Sequence, residues 1–402
     1  MTSDLAPRRI IVLGATGSIG TNTLAVIRHL NVLAANAGRA PRFVVVGLAG
    51  NSNVRLLKEQ ASEFNVSHLA IADERAASAV GTTSRVGVTF VGADAARKLV
   101  DEVARPGDLV MGAMVGAAGI PATLAAIERG CDIALANKET LVAAGDVVMA
   151  AVARKGVRLL PVDSEHNAIF QCLEAGRSAA EVRRIVITAS GGPFRSWPIE
   201  RIASATVREA LHHPTWSMGP KVTIDSASMM NKALEIIEAH WLFGLSADQI
   251  DAIVHPQSIV HSFVEFVDGS VIAQLSPPDM RTPIQHALTW PERTEGCSHR
   301  TDWSTFGALQ FEPVDHARFP AIGLAWRVVR AGGTSGATFN AANEIAVEAF
   351  LRGEMHFPRI AELVTDALDA LPSRPVKSLI DVLAADEEAR CWARERTRAV
   401  SV

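Results

Sequence analysis

Short apolar runs alternate with amphipathic stretches through the first 162 residues. Residues 19–30 and 54–64 carry apolar side chains at helical spacing, and runs rich in Val, Ile and Leu lie between such stretches. Strands are predicted at RRIIVLG, FVVVGLAG, residues 68–72, DLVMGAM, CDIALA and VRLLPV. This alternation predicts a doubly wound parallel sheet, so we expect an α/β protein with an N-terminal Rossmann-type domain over residues 1–162.

The remainder of the chain changes character twice. Residues 163–290 mix helices with longer strands and predict a second α/β domain. Residues 291–318, with scattered charge, Pro, Gly and Ser, predict a linker. Residues 319–402 predict a C-terminal helical bundle. Its expected helices cover residues 321–330, 337–351, 358–371 and 379–398.

Charge and hydropathy restrict the possible partners. The formal charge of −4 over 402 residues offers no general attraction to nucleic acid or anionic lipid, so an anionic ligand must be held by a few local groups. The uncharged stretch 109–127 is long enough to span a membrane, but its Gly, Ala and Pro121 favour a strand, a turn and a helix. With neither a secretory nor a transit pattern at residues 1–14, we expect a cytoplasmic location.

A glycine-rich turn follows the first predicted strand and begins a helix. Gly14, Gly17 and Gly20 have the spacing G-x-x-G-x-x-G, which suits a pyrophosphate at a helix N-terminus, although a tight turn without a ligand would have the same pattern. The second strand ends without the carboxylate that binds the ribose of NAD, which favours NADP. The chain contains 0 tyrosines, so the Tyr-x-x-x-Lys pair of short-chain dehydrogenases is excluded.

Carboxylates at the end of the strand VRLLPV suggest a metal site. Asp163 and Glu165 can converge on one cation, and their hard oxygen atoms favour Mg²⁺ or Mn²⁺, although acidic residues also suit a helix N-terminus. A helix predicted from about residue 227 would place Ser228, Asn231, Lys232 and Glu235 on one polar stripe. Such a stripe is often a solvated face, but this one could also bind a phosphate and complete a metal shell.

Several motifs together closely resemble the 1-deoxy-D-xylulose 5-phosphate reductoisomerase family. They are GATGSIG, ANKE, VDSEHNAIFQ, SGGPF, HPTWSMGPKVTIDSASMMNKALEIIEAHWLFG, HPQSIVHSFVE, SPPDMRTPI and FNAANEIAVEAF, in order along nearly the whole chain. The resemblance implies that 1-deoxy-D-xylulose 5-phosphate is rearranged and then reduced by NADPH to 2-C-methyl-D-erythritol 4-phosphate, in non-mevalonate isoprenoid synthesis. It also implies a homodimer, with a small phosphorylated sugar as the substrate. Residues 163–290 would then form the catalytic, metal-binding and dimerisation domain.

The resemblance carries roles to individual positions. Asp163, Glu165 and Glu235 are expected to hold the metal. The residues expected to take part in catalysis are Lys138, Ser164, Glu165, His213, Trp216 and Met218, the last three in a loop that closes over the site. Expected substrate contacts are Ser164, Ser190, His213, Ser226, Asn231, Lys232 and Glu235. Expected NADPH contacts are Gly14, Thr16, Gly17, Ser18, Ile19, Gly50, Ser52, Asn53, Asn137, Glu139 and Gly219.

One departure from the family pattern and two alternatives accompany this interpretation. The family often carries a basic residue near the 2′-phosphate of NADP, and here the run is Gly50-Asn51-Ser52-Asn53. One alternative is a two-domain NADP dehydrogenase of the homoserine or semialdehyde type. It leaves the carboxylate set and the helical tail unexplained. Another is a protein that senses NADP without catalysis, which would need no metal.

Overall fold

In the computed structural model, the described residues are 6–78, 89–176, 178–216, 218–305 and 307–399. They form two compact units, each assembled from separate chain segments. The first unit comprises Met1–Asn137, Val148–Asp163 and Asp279–His299. The second comprises Lys138–Val147, Ser164–Pro278 and Arg300–Val402.

Within the described residues, the first unit contains one sheet of seven strands that all pair in parallel. The strands are β1 (Arg8–Leu13), β2 (Phe43–Gly50), β3 (Leu69–Ile71), β4 (Phe90–Val91), β5 (Leu109–Gly112), β6 (Asp132–Leu135) and β7 (Leu159–Pro161). Their order is β4-β3-β2-β1-β5-β6-β7. Every residue of β5 and β6 is buried, because both faces of a parallel sheet are covered by helices. The predicted doubly wound sheet is confirmed.

Helices alternate with these strands. They are α1 (Ser18–Asn36), α2 (Val54–Glu63), α3 (Glu74–Ser78), α4 (Ala95–Val103), α5 (Ile120–Glu128) and α6 (Lys138–Lys155). Residues 109–127 divide into β5, a turn and α5, as predicted. In the described part of the chain, no helix has both the length and the apolarity that a membrane span requires.

The second unit contains a mixed sheet with the order β11-β10-β8-β9-β12. Its strands are β8 (Val182–Ala189), β9 (Ile250–Val254), β10 (Val260–Phe266), β11 (Val271–Leu275) and β12 (Glu312–Pro313). Only the β8–β9 pair among these strands is parallel. Five α-helices lie between β7 and β9 in the described chain: α7 (Ser164–Leu173), α8 (Ile199–Ile202), α9 (Val207–Ala210), α10 (Pro220–Ala227) and α11 (Met230–Phe243).

The later helices are α12 (Arg281–Thr289), α13 (Ala321–Ala331), α14 (Ser335–Leu351), α15 (Arg359–Ala370) and α16 (Leu379–Ala399). Helix α14 packs against α15 and α16, which confirms the C-terminal helical bundle. The core of the second unit joins Ile185 and Ile187 of β8 to Met230 and Ile236 of α11 and Phe339 of α14. Sheet and bundle therefore share one apolar core.

Two segments differ from the sequence prediction. Helix α12 was placed in the domain 163–290, but Asp279–His299 belongs to the first unit, where α12 packs against α1. The predicted linker 291–318 contributes β12 to the second sheet. The four-part division into domains remains a prediction as a whole, since compact units and functional domains need not share boundaries.

The helix predicted from about residue 227 is wrong at its start. Helix α10 ends at Ala227, and Met229 adopts a left-handed conformation with φ 61° before α11 begins. Ser228 therefore lies at the end of α10, where its Oγ donates to the carbonyl oxygen of Ile224 at 3.0 Å. Asn231, Lys232 and Glu235 do share α11, so most of the predicted polar stripe exists.

Candidate active site

Three carboxylates converge at the start of α7 and the first turns of α11. Asp163, Glu165 and Glu235 each offer one oxygen atom within 4.8 Å of the others. Asp163 is bonded directly to Ser164 at the start of α7, so the chain itself holds its carboxylate beside that of Glu165. The predicted set is thus brought together, and its metal-binding role remains a prediction.

Cationic and amide groups surround these carboxylates. Lys232 contacts Glu235 through its Nζ, which also lies 3.6 Å from Glu165 Oε1. Asn231 donates its Nδ2 hydrogen to Glu235, and Lys138 Nζ lies 3.8 Å from Glu235 Oε1. Three negative charges thus face two ammonium groups, and one negative charge remains. For a cation at this site, the all-oxygen donor set favours Mg²⁺ or Mn²⁺ over zinc.

His166 fixes the backbone beneath the cluster. Its ring is fully buried, and its Nε2 lies 2.9 Å from the carbonyl oxygen of Glu235. Because a carbonyl can only accept, Nε2 is the donor and carries a hydrogen. Sequence reasoning did not give His166 a role. The available indication was its position next to Glu165, on a helix whose other face is apolar.

Helix α6 presents Lys138 and Glu139 from a firmly packed first half. Gly145 admits the indole of Trp241, since a Cβ there would lie 2.3 Å from the ring. Gly336 of α14 approaches the carbonyl oxygen of Val142 so closely that an added Cβ would lie 1.9 Å from it. Two glycines thus let α11 and α14 fix this part of α6 within the second unit.

A second cluster forms at the carboxyl end of β8. Gly192 has φ +65°, and an added Cβ would lie 2.7 Å from the carbonyl oxygen of Ser226. Only glycine therefore allows the turn after Ser190 to lie against α10. The structure thus brings the segments of two predicted phosphate contacts, Ser190 and Ser226, together. Asn231 and Lys232, predicted for the same phosphate, instead contact Glu235 here.

His213 links this turn to the predicted closing loop. Its Nδ1 accepts from the backbone N–H groups of Thr215 and Trp216 at 3.1 and 2.8 Å. Its hydrogen is therefore on Nε2, which lies 3.0 Å from Ser190 Oγ and donates to it. Burial lowers the pKa of His213, so the ring stays neutral at neutral pH. The loop is thus attached at one end to the Ser190 turn.

The other members of the loop are less enclosed. Trp216 and Met218 are half-buried, and Ser217 between them lies outside the described residues. The Trp216 ring centroid lies 6.5 Å from that of His261. Ser164 donates its Oγ hydrogen to Glu165 Oε2 at 2.6 Å, which places it at the metal cluster. Gly219 begins α10 at its N-cap.

The glycine-rich loop lies where the strand order of the first sheet reverses, between β1 and β5, the usual place for ligands in such sheets. Gly14 and Gly20 are required by the fold, since a Cβ at either would lie 2.3 Å from a backbone oxygen atom. Gly17 has φ −79°, and a Cβ there would meet only Gly14 O at 3.4 Å, an ordinary contact. Packing does not explain Gly17, whereas a ligand against the N-terminus of α1 does.

Gly17→Ala is therefore expected to separate binding from stability. The added methyl group would occupy the space of the pyrophosphate and raise the dissociation constant for NADPH about tenfold or more. The free energy of unfolding should stay near that of the wild type. Fluorescence titration with NADPH and urea denaturation measure the two quantities. Gly20→Ala is the matched control and should lower stability; tight NADPH binding by Gly17→Ala would contradict the assignment.

Three of the other predicted cofactor contacts form hydrogen bonds within the protein. Asn137 donates its Nδ2 hydrogens to the carbonyl oxygens of Met114 and Gly116, which shapes the loop after β5. Asn53 caps α2 by accepting from Leu56 N at 3.2 Å. Glu139 accepts from Lys221 Nζ at 2.8 Å. The remaining ones are small or surface positions near the ends of β1 and β2: Thr16, Ser18, Ile19, Gly50 and Ser52.

The Rossmann-type sheet with its glycine-rich loop, together with an all-oxygen carboxylate cluster, defines a metal-dependent oxidoreductase that uses a nicotinamide dinucleotide. Three family models match this chain, and all three describe the same enzyme of this class. They describe 1-deoxy-D-xylulose 5-phosphate reductoisomerase over residues 10–145 and its C-terminal domains over residues 159–243 and 275–392. The chain belongs to the 1-deoxy-D-xylulose 5-phosphate reductoisomerase family.

Curated relatives match over nearly their whole length. A 1-deoxy-D-xylulose 5-phosphate reductoisomerase from Bradyrhizobium sp. (strain ORS 278) is 49% identical over 388 residues, which cover 95% of this chain and 92% of the relative. One from Rhodococcus jostii (strain RHA1) is 49% identical over 395 residues, covering 98% of this chain and 94% of the relative.

Solved structures of the family share the fold. The enzyme from Zymomonas mobilis in complex with NADPH is 44% identical with a TM-score of 0.86, over 98% of this chain and 99% of that one. A reductoisomerase in complex with NADPH, fosmidomycin and magnesium is 38% identical with a TM-score of 0.88, over 97% of this chain and 98% of that one. These findings support the reductoisomerase interpretation and not the dehydrogenase or sensor alternatives.

Proposed function

We propose that this chain converts 1-deoxy-D-xylulose 5-phosphate into 2-C-methyl-D-erythritol 4-phosphate, with NADPH as the reductant and Mg²⁺ or Mn²⁺ as the metal. The observation that carries the proposal is the cluster of Asp163, Glu165 and Glu235 in a chain of this family. Homodimer formation is a further prediction from the family resemblance, and a cytoplasmic location is a prediction from the N-terminal sequence.

The carboxylate cluster accounts for metal binding. Asp163, Glu165 and Glu235 would hold the cation, and Ser164 Oγ at Glu165 would orient one of the ligands. When bound, the metal supplies Lewis-acid polarisation of the substrate's oxygen atoms and NADPH supplies the hydride. If a divalent cation were bound at Glu235, the ammonium group of Lys232, which contacts Glu235 here, would be available to the substrate phosphate. Such an exchange of partners would explain why Lys232, a predicted phosphate contact, contacts the carboxylate of Glu235 in this structure.

The second cluster accounts for phosphate binding. Ser190 and Ser226 present hydroxyl groups from segments that Gly192 brings together, and Asn231 and Lys232 add an amide and a charge from α11. The neutral His213 donates through Nε2, so it can hydrogen-bond an anion without a change of charge. Trp216 and Met218, which follow it in the same loop, would exclude water when the loop closes over the substrate.

The decisive experiment follows the loss of NADPH absorbance with 1-deoxy-D-xylulose 5-phosphate and Mn²⁺, then after EDTA treatment, then after Mn²⁺ is restored. We expect oxidation only when both sugar phosphate and metal are present. NADPH binding without metal-dependent oxidation would overturn the proposed reaction and favour a sensor. Metal-independent oxidation would overturn the role of the carboxylate cluster.

A further inference from the structure

A largely enclosed polar group centred on Lys221 has no part in the reaction as proposed above. Lys221 of α10 donates through its Nζ to Glu139 Oε1 at 2.8 Å and to Asp225 Oδ2 at 2.9 Å. Asn343 of α14 donates its Nδ2 hydrogen to Asp225 Oδ1 at 2.9 Å. These four residues, the Lys221 group, join the starts of α6 and α10 to the middle of α14. All of them lie in the second unit.

The ammonium ion is essential to the group. Burial alone would lower the pKa of Lys221, but the charges of Asp225 and Glu139 outweigh burial and raise it. Burial likewise opposes the charge on Glu139, but Lys221 outweighs it and the pKa of Glu139 is lowered. For Asp225 burial prevails and raises the pKa. Removing the ammonium ion would thus leave buried carboxylate groups without their counterion.

Three of the four members of the Lys221 group adjoin a segment with a predicted role at the substrate. Glu139 directly follows Lys138, whose Nζ reaches Glu235. Asp225 directly precedes Ser226. Lys221 stands in the first turn of α10, just after the loop that contains His213, Trp216 and Met218. A shift of the ammonium ion would therefore move groups at both clusters of the active site.

We propose that Lys221 is a positioning residue for the sugar phosphate, acting through Glu139 and Asp225 on Lys138, Ser226 and the closing loop. This inference rests on the proposed function. It also gives Glu139 a different role from the cofactor contact that sequence reasoning predicted: its carboxylate holds Lys221. The FNAANE motif gains a function at the same time, since Asn343 orients Asp225.

The C-terminal bundle offers a matched control. Arg390 of α16 pairs with Asp386 at 2.6 Å and with Glu344 of α14 at 2.7 Å. Its side chain is 15% exposed and that of Lys221 is 18% exposed, so the two cations are similarly enclosed by carboxylates. No predicted site residue is a chain neighbour of Arg390 or Asp386, and Glu344, which follows Asn343 along α14, pairs with Arg390 and not with the Lys221 group. Loss of either cation should therefore lower stability, but only the loss of Lys221 should change catalysis.

The experiment compares Lys221→Met, Lys221→Arg and Arg390→Met with the wild type, per mole of folded protein. Lys221→Met should raise KM for the sugar phosphate and lower kcat, for a loss of about 100-fold in kcat/KM, because small displacements of reacting groups have effects of that size. Lys221→Arg, which keeps the charge, should recover part of that loss. Arg390→Met should lower the melting temperature and leave kcat and KM unchanged.

Glu139→Gln and Asn343→Ala extend the test to changes that keep the ammonium group of Lys221, so the test does not depend on the folding of Lys221→Met. Both should shift KM for the sugar phosphate in the same direction as Lys221→Met, while the dissociation constant for NADPH stays that of the wild type. A weaker NADPH complex with unchanged KM for the sugar would overturn the inference and restore Glu139 as a cofactor contact. Equal kinetics in the Lys221 and Arg390 variants would also overturn it, as a merely structural role predicts. Wild-type turnover in the same assay separates these outcomes from failure of the proposed function.

Discussion

Glu235→Gln is expected to abolish turnover while NADPH binding stays intact. Glu235 is 1% exposed and supplies one of three converging carboxylates, so the amide removes a negative charge that the cation requires. Loss of metal-assisted polarisation, worth several kcal/mol, corresponds to a fall in kcat on the order of 1000-fold or more. Turnover with Mn²⁺, Mn²⁺ binding by electron paramagnetic resonance and fluorescence titration with NADPH measure the three effects.

Glu344→Gln is the control for this substitution. Glu344 is also enclosed and paired with a cation, Arg390, but it lies in the C-terminal bundle. Its loss should affect stability without changing Mn²⁺ affinity. If Glu235→Gln kept near-normal activity and Mn²⁺ affinity, the metal assignment would be refuted.

Gly336→Ala is expected to cause the largest loss of stability. A methyl group at this position would lie 1.9 Å from the carbonyl oxygen of Val142, a backbone atom that cannot rotate away. Helices α14 and α6 would have to separate, and overpacking of this kind costs about 3 kcal/mol of unfolding free energy or more. Urea denaturation monitored by circular dichroism measures the change.

Gly323→Ala provides the opposite case. Gly323 is exposed within α13, and a Cβ there meets nothing within 4 Å. Because alanine loses less backbone entropy than glycine in a helix, the variant should be about 0.5–1 kcal/mol more stable than the wild type. A mild effect of Gly336→Ala would show that the two helices are not packed as closely as described.

The pattern of apolar residues predicted six of the seven strands of the first sheet and missed only the two-residue β4. Strands β1, β2, β5 and β6 were found because both faces of a parallel sheet are covered, which leaves continuous apolar runs in the sequence. The carboxylate cluster was predictable for a similar reason, since Asp163 and Glu165 directly follow a strand and Glu235 belongs to a recognisable motif. Features that depend on residues close together in the sequence could thus be predicted from it.

Features set by distant contacts were not predictable. Met229 separates α10 from α11 by adopting a left-handed conformation, although residues 221–243 contain no Gly or Pro that would indicate a break between two helices. Its side chain is 2% exposed in the shared core, so tertiary packing outweighs a local preference against that conformation. Lys221, Asp225 and Asn343 were missed because their meeting depends on how α10 and α14 pack. All three residues lie in quoted motifs, Lys221 and Asp225 in HPTWSMGPKVTIDSAS and Asn343 in FNAANE, but the motifs did not indicate that they meet.

The discontinuity of the first unit sets an order of events during synthesis. Its last segment, Asp279–His299, contributes α12, which packs against α1 near the opposite end of the unit's sequence. When the nucleotide-binding sheet has emerged from the ribosome, the helix that covers α1 has not yet been translated. The packing of α12 on α1 is therefore completed only after Asp279–His299 has been synthesised.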